Sequence, residues 1–455
     1  MEQQEGTKVM NKTVREHIID LLIEIEREDT YAQLAIKDAL QNVDIKDKAL
    51  MTEVIYGTLK HQIKLDYILN QFSKTPVRKM KPFIRTALRM SVYQLLYLDK
   101  IPTSAVINEA VKITKKRKFQ NLSGFVNGVL REIDRQRANI RYPNQKKHPI
   151  LAMSIKYSIP EWMIEEWLKV YPKEEVEAIC MALNERAKVC GHYNPLKASK
   201  EVVIEHLREE GLEIEEGKFL KDSFYIKHLD KLQDLASFKN GEWTVQDESA
   251  TLVGYVLAPQ KGERVLDMCS APGGKSIHMA QLMENQGEIR SCDVYAHKLE
   301  LIQKNAERMG ISIIKPTLQD GTIHQAAFEA AFDKVLLDAP CSGLGIMKRK
   351  PDIRHHRSKE DIESLVALQQ SLATQAISYV KPGGKLVYST CTISYQENEE
   401  MVAFITSKGL ELESIVDTIP KVLHGAIKQE GMIQILPSMA DTDGFFIASF
   451  RKRSI

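Results

Sequence analysis

Two cysteines in this chain stand where a sulfur nucleophile could work. Cys341 lies in Lys334-Val-Leu-Leu-Asp-Ala-Pro-Cys-Ser-Gly-Leu-Gly345. The apolar run Val335–Leu337 reads as a buried strand of a parallel sheet, and the small residues after Asp338 as a loop at its carboxyl end. Cys391 lies in Tyr388-Ser-Thr-Cys-Thr-Ile393, after a strand that opens from the turn Pro382-Gly-Gly384. Open α/β sheets bind ligands beyond the carboxyl ends of their strands, so both thiols and Asp338 are placed for chemistry. A thiol of ordinary acidity is only about 3% thiolate at pH 7, and a nucleophile needs a nearby cation. Lys275 and the basic run after Cys341 could supply one. The residues alone do not rank one thiol above the other as attacker, and a buried, inert Cys is the plain alternative for either.

A second constellation is Asp267-Met-Cys-Ser-Ala-Pro-Gly-Gly-Lys275, which follows the strand Arg264–Asp267. It lacks the G-x-G-x-x-G of a dinucleotide site and the G-x-x-x-x-G-K-[ST] of a phosphate loop. Its small residues Cys269, Ser270, Ala271, Pro272, Gly273 and Gly274, followed by Lys275, still leave space for a ligand against the backbone. Asp293 closes the next strand, where an acid meets ribose hydroxyls, and Asp320 follows a third, within reach of an adenine amino group. A nucleoside cofactor without a pyrophosphate suits this set, and S-adenosylmethionine is the candidate. Two thiols beside a methyl donor suggest Cys-dependent attack on an electron-poor ring carbon. No C-x-x-C pair or Cys/His spacing suits zinc, so no metal is expected.

These residues need a repeated βα framework, and the sequence from Gly241 onward supplies one. Strands are predicted at 264–267, 288–293, 313–316, 335–338 and 385–390. Helices are predicted at 275–283, 296–309, 359–379 and 397–407, with a closing antiparallel hairpin at 432–436 and 444–450. Such alternation implies a parallel sheet with helices on both faces. Residues 11–138 read instead as helix after helix: Val14, Ile18, Leu21, Leu22 and Ile25 recur at helical spacing, as do Phe125, Val126, Val129, Leu130 and Ile133. Segments 49–59, 65–72 and 83–98 lie between them. The polar, proline-bracketed stretch Arg141–Pro149 is a linker, and 150–240 reads as a small α+β module. Three domains are therefore expected, at 1–142, 143–240 and 241–455.

The chain has 455 residues, 43% hydrophobic and 27% charged, with a net charge of +2 that excludes nothing. No run of about 18 apolar residues or secretory signal is present, so a cytoplasmic protein off the membrane is expected. Basic clusters at Lys115–Lys118, Lys348–Lys350, Arg354–Arg357 and Arg451–Arg453 are the local signals for a polyanion. Any one of them could equally be a solvated face.

The segments 267–275, Asp338-Ala-Pro-Cys-Ser-Gly343 and Ser389-Thr-Cys-Thr392 resemble motifs I, IV and VI of the RNA 5-methylcytosine methyltransferases. Glu53-Val-Ile-Tyr-Gly-Thr58, Ile107-Asn-Glu-Ala-Val111 and Gly124-Phe-Val-Asn-Gly-Val-Leu130 resemble the NusB-type RNA-binding domain. That pairing is the layout of the bacterial 16S rRNA methyltransferase B family, with Thr392 where many relatives carry Ser. The resemblance implies an all-α NusB-like bundle, an α+β RNA-binding module and a Rossmann-like catalytic domain. It also implies methylation of carbon 5 of a specific cytosine in 16S rRNA, with a monomer expected. Under it Cys391 attacks carbon 6, Cys341 assists proton removal and release, and Asp338 contacts the base and the cofactor pocket. The loop 269–275, Asp293 and Asp320 would then hold S-adenosylmethionine, and the basic clusters would meet phosphate. The alternatives are the same chemistry on tRNA or another rRNA, a DNA cytosine methyltransferase, and a non-catalytic RNA-binding assembly factor.

Overall fold

The helical periodicity of the first third of the chain becomes a bundle whose apolar stripes face one core. A computed structural model describes residues 12–27, 32–41, 44–227, 229 and 232–454. The chain divides into two compact units, Met1–Lys169 with Lys350–His356, and Val170–Arg349 with Arg357–Ile455.

The first unit holds helices α1 (Val14–Arg27), α2 (Ala32–Gln41), α3 (Ile45–Phe72), α4 (Pro82–Tyr97), α5 (Thr103–Lys116), α6 (Gln120–Arg135), α7 (Pro149–Tyr157) and α8 (Glu161–Leu168). Ile18, Leu22, Ile55, Leu69, Leu88, Val92 and Leu130 are among its buried core residues. The helix predicted as two pieces, 49–59 and 65–72, is the single α3. Its middle, Lys60-His-Gln-Ile-Lys64, is polar but holds no helix breaker, so the apolar stripe lapses while the backbone continues. Buried Arg89 donates to both oxygens of Asp66 at 2.6 Å and to Glu26 at 3.0 Å, the bidentate geometry that planar guanidinium favours. Residues 350–356 pack within this unit. Arg354 donates to the carbonyls of Lys60 and Ser158, the His355 ring meets the Leu59 carbonyl at 2.7 Å, and buried Asp352 accepts from the Ala32 amide.

In the second unit, β1 (Val189–Tyr193), β2 (Glu213–Glu216), β3 (Ser223–Lys227) and β4 (Trp243–Val245) form an antiparallel sheet in the order β2-β3-β1-β4. Val203 and Leu207 of the helix Lys200–Glu209 pack with Phe224, Ile226 and Trp243. β2 and β4 escape prediction because one is acidic and half-exposed and the other only three residues long.

The remaining strands are β5 (Arg264–Asp267), β6 (Glu288–Asp293), β7 (Ile314–Leu318), β8 (Phe332–Asp338), β9 (Val380–Thr390), β10 (Leu410–Leu412), β11 (Ile427–Gln429), β12 (Met432–Ile435) and β13 (Phe445–Lys452). They make a nine-stranded sheet ordered β11-β12-β13-β9-β8-β5-β6-β7, with β10 on β13. The run β9-β8-β5-β6-β7 is parallel, and β13 pairs antiparallel with both β9 and β12. Helix ends follow local chemistry: Ser358 and Asp361 form a capping box for Lys359–Tyr379, and left-handed Gly310 ends Ala296–Met309. Among the described residues no helix is long and apolar enough to cross a membrane.

Candidate active site

The register of two parallel strands builds the centre of the site. β8 and β9 pair so that Asp338 lies opposite Ser389, and the Ser389 hydroxyl donates to Asp338 Oδ1 at 2.7 Å. The loops that leave these strands then bring Cys341 Sγ and Cys391 Sγ to 3.4 Å. Cys341 is held well above the usual thiol range, first by its hydrogen bond to Cys391 and then by burial.

Lys275 enters from the neighbouring β5 loop. Gly273, at φ +100°, turns the chain through a left-handed conformation into the helix Gly274–Leu282. That turn delivers Lys275 Nζ to Asp338 Oδ2 at 2.8 Å. Burial lowers the lysine, but the Asp338 carboxylate outweighs it and holds the ammonium above the ordinary value. Beneath them Asp267 is fully buried; burial pushes it up to about 7, against the Ser276 hydroxyl that donates to Oδ2 at 2.6 Å. Among the described residues its Oδ1 has no side-chain partner, and the Cys269 backbone approaches the carboxyl and lowers it further.

The other predicted residues line the same carboxyl edge. The amide and hydroxyl of Ser270 both donate to the Cys292 carbonyl, the Gly273 amide donates to the Ser270 carbonyl, and Asn305 donates to the Pro272 carbonyl. Burial pushes the Cys269 thiol well up, and the carboxylates of Asp267, Asp338 and Asp293 add to it. Asp293 accepts from the Tyr295 amide at 3.1 Å and lies 3.7 Å from Lys298 Nζ. Asp320 is exposed and accepts from the hydroxyl and amide of Thr322, which hold it below the carboxylate range. Its neighbour Gln319 donates its backbone amide to the Asp293 carbonyl at 3.1 Å.

Several residues that brace the thiol loops carry no local sequence signal. Buried Glu397 accepts from the Ser342 amide at 2.8 Å, from the Ser342 hydroxyl and from the Gln369 amide group at 3.1 Å. Asn398 accepts from the Thr390 hydroxyl at 2.6 Å and donates to the Thr392 carbonyl at 3.2 Å. The pattern Ser394-x-x-Glu397 reads as an ordinary helix start, which hides the carboxylate's second use. The basic run 348–357 is not a free cationic face. Lys348 is buried and donates to the carbonyls of Asp441 and Thr442, and Arg349 bridges Asp247 and Asp443. Arg354 and His355 are consumed in the first unit as described. Sequence spacing misses such burial because the partners lie about a hundred residues or more away in the chain.

One group among the described residues brings possible metal ligands together, although no metal was expected from spacing. Atoms of His192, Asp222 and His278 lie within 4.8 Å of one another. The His192 ring also meets Gln281 at 3.1 Å, and the Tyr255 hydroxyl donates to Asp222.

Comparison with known proteins agrees with this arrangement. Residues 12–135 match the NusB family, 159–230 the ferredoxin-like domain of the RsmF/B-like methyltransferases, and 254–451 the 16S rRNA methyltransferase RsmB/F family. The chain is 38% identical to the probable ribosomal RNA small subunit methyltransferase B of Bacillus subtilis, over 98% of this chain and 100% of that one. It is 32% identical to the ribosomal RNA small subunit methyltransferase B of an Escherichia coli strain, over 91% and 92%. Among solved structures, PH0851 superposes with a TM-score of 0.81 at 27% identity, covering 97% of this chain and all of that one. NSun6 from Pyrococcus horikoshii, solved with SFG, gives 0.58 at 26% identity over 65% of this chain and 99% of its own. With three domains matched in order and relatedness running nearly end to end, the chain belongs to the 16S rRNA methyltransferase RsmB/F family.

Proposed function

We propose that this protein methylates carbon 5 of a cytosine in 16S rRNA through a covalent adduct between Cys391 and carbon 6. The observation that carries the reading is the thiol pair 3.4 Å apart, with Asp338 held at the neighbouring strand tip by Lys275 and Ser389. The names of the relatives favour the small-subunit RNA over tRNA or another rRNA.

The cofactor residues fit a nucleoside methyl donor. Left-handed Gly273 and the open side of Gly274 leave the loop without side-chain bulk, and the Oδ1 of Asp267, which has no side-chain partner among the described residues, is a buried acceptor at its base. Loop 269–275, Asp293, Asp320 and Asp338 would hold S-adenosylmethionine, of which SFG is an analogue. When bound, it supplies an electrophilic methyl group.

Cys391, its proton having passed to solvent water, forms a bond from Sγ to carbon 6, and the electron pair of the ring double bond makes carbon 5 the nucleophile. Asp338, oriented by Ser389 and Lys275, meets the base near N3 and its 4-amino group and offsets the charge that develops there. Cys341 serves the second half. Its hydrogen bond with the Cys391 sulfur, 3.4 Å away, and burial hold the thiol above its usual range. Once Cys391 is bonded to carbon that hydrogen bond is weakened, and the Cys341 proton passes to solvent water. Its thiolate then takes the proton of carbon 5, and the Cys391–carbon bond breaks to restore the ring. The target base must leave its stack for this, which suits a loop or bulge of RNA.

The test uses Cys341→Ala with 16S rRNA and S-adenosylmethionine. Without the group that takes the carbon-5 proton, the adduct should accumulate as a protein–RNA band that survives denaturing electrophoresis. Bisulfite sequencing of the product from the unaltered protein should show one protected cytosine. Absence of any protected cytosine would sink the reading.

A further inference from the structure

The two loops that carry the thiols leave different strands, yet their residues meet at one buried side chain. Ser342, next to Cys341, gives both its amide and its hydroxyl to the Glu397 carboxylate. Thr392, next to Cys391, reaches the same carboxylate through that hydroxyl: Thr392 Oγ1 lies 2.7 Å from Ser342 Oγ and 3.5 Å from Glu397 Oε2. Gln369, from the helix Lys359–Tyr379, donates to Glu397 Oε1 and also to the Pro340 carbonyl at 2.9 Å, so the residue before Cys341 is tied as well. The backbone of Glu397 accepts from the Tyr388 hydroxyl at 2.7 Å, which anchors it to β9. Three legs from three segments reach this carboxylate and a fourth holds its backbone, and two of the three come from residues beside a sulfur.

We infer that Glu397 is a positioning residue that sets the distance and mutual orientation of Cys341 and Cys391. It touches neither sulfur by hydrogen bond; it acts through Ser342 and Thr392. This rests on the reading that the two thiols share one reaction. Several features favour it over a purely structural role. A fully buried carboxylate is costly unless donors surround it, and here the donors are drawn from the residues flanking both thiols rather than from one element. Burial holds Glu397 above the ordinary carboxylate range, and its charge adds to what keeps the proton on Cys341. Asn398 supports it by bracketing Cys391, through Thr390 on one side and Thr392 on the other.

The experiment compares Glu397→Gln, Glu397→Ala and Ser342→Ala in the full chain. Alkylation of each thiol by iodoacetamide is followed by peptide mass spectrometry, alongside kcat and the KM for S-adenosylmethionine. Glu397→Ala should change the ratio of the Cys341 and Cys391 alkylation rates by about tenfold. It should also lower kcat about 100-fold, the scale of a misplaced reacting group, with KM within about twofold. Glu397→Gln keeps an acceptor for the Ser342 amide and should recover part of both losses. Ser342→Ala removes one leg and should shift the alkylation ratio in the same direction even if Glu397→Ala fails to fold. An unchanged ratio in the folded variants, or kcat and KM moving together, overturns the inference. The alkylation readout does not depend on methyl transfer, so a failed assignment of the reaction is distinguishable from a failed assignment of Glu397.

Discussion

At the scale of residues, the site is a set of partnerships that no member could make alone. Cys391→Ala should abolish methyl transfer, a loss of at least about 1,000-fold in kcat, with cofactor affinity nearly unchanged, as removal of a covalent nucleophile does elsewhere. Isothermal titration with S-adenosylmethionine and a single-turnover assay check both halves, and retained turnover would remove the nucleophile assignment. Lys275→Met is a different kind of lesion. The Lys275–Asp338 pair has side chains 16% and 27% exposed, so solvent screens it in part. Stranding Asp338 should cost about 1–3 kcal/mol, less than the about 3–5 kcal/mol of a fully buried pair, and urea unfolding of the variant measures it. The sequence made Lys275 a candidate for activating a thiol. In the fold its ammonium is committed to Asp338, so its effect on sulfur chemistry is indirect.

At the scale of elements, the thiol loop depends on a close backbone crossing. The Gly345 amide donates to the Cys391 carbonyl at 3.1 Å, and the Gly444 amide donates to the Gly345 carbonyl at 2.9 Å. A Cβ on Gly345 would lie 2.0 Å from the Gly444 carbonyl oxygen, so backbone must move. Gly345→Ala should therefore cost about 1–3 kcal/mol and lower methyl transfer. Gly128→Ala in α6, where nothing lies within 4 Å of the added carbon, should instead stabilise by about 0.5–1 kcal/mol. Thermal unfolding of the two variants should move in opposite directions. Sequence legibility followed the same division between local and distant causes. β6 and the helices 296–309 and 359–379 appear at their predicted bounds, because strand pattern, capping Ser358 and terminal Gly310 are local signals. The thiol pair and Asp338 were legible as strand-end residues. Glu397, the Gly345–Gly444 crossing and the neutralised run 348–357 were not, because each is defined by a partner far away in the chain.

At the scale of the whole molecule, the two units carry their buried ionisable groups with different balance, and pH should separate them. In the first unit, burial lowers His61 and His355 to about 3 from an ordinary value near 6.5. A histidine whose folded pKa is depressed contributes stability that is fully present above about pH 6.5 and is lost as pH falls below it. Each loses up to about 2 kcal/mol by pH 5, from roughly 1.5 units at 1.36 kcal/mol per unit, and less where the ring keeps some solvent. Burial also lowers His192 and His278 in the second unit. That unit holds an offset, because burial raises Asp267 to about 7 and Asp443 to about 6. A carboxyl raised in the fold destabilises above its unfolded value near 4, and this penalty is relieved as pH falls through its folded value. The signs therefore oppose in the second unit and add in the first. Between pH 6.5 and 5 the first unit should lose protection from hydrogen exchange earlier than the second. His61 is also the cleanest handle, since its ring stacks on Tyr97 at 4.3 Å and His61→Phe keeps a stacking ring without a proton to gain. That variant should lose less stability than the unaltered protein between pH 7 and 5, by about 1–2 kcal/mol in the first unit's exchange. Equal pH slopes for the two proteins would show that His61 is not held neutral by its surroundings.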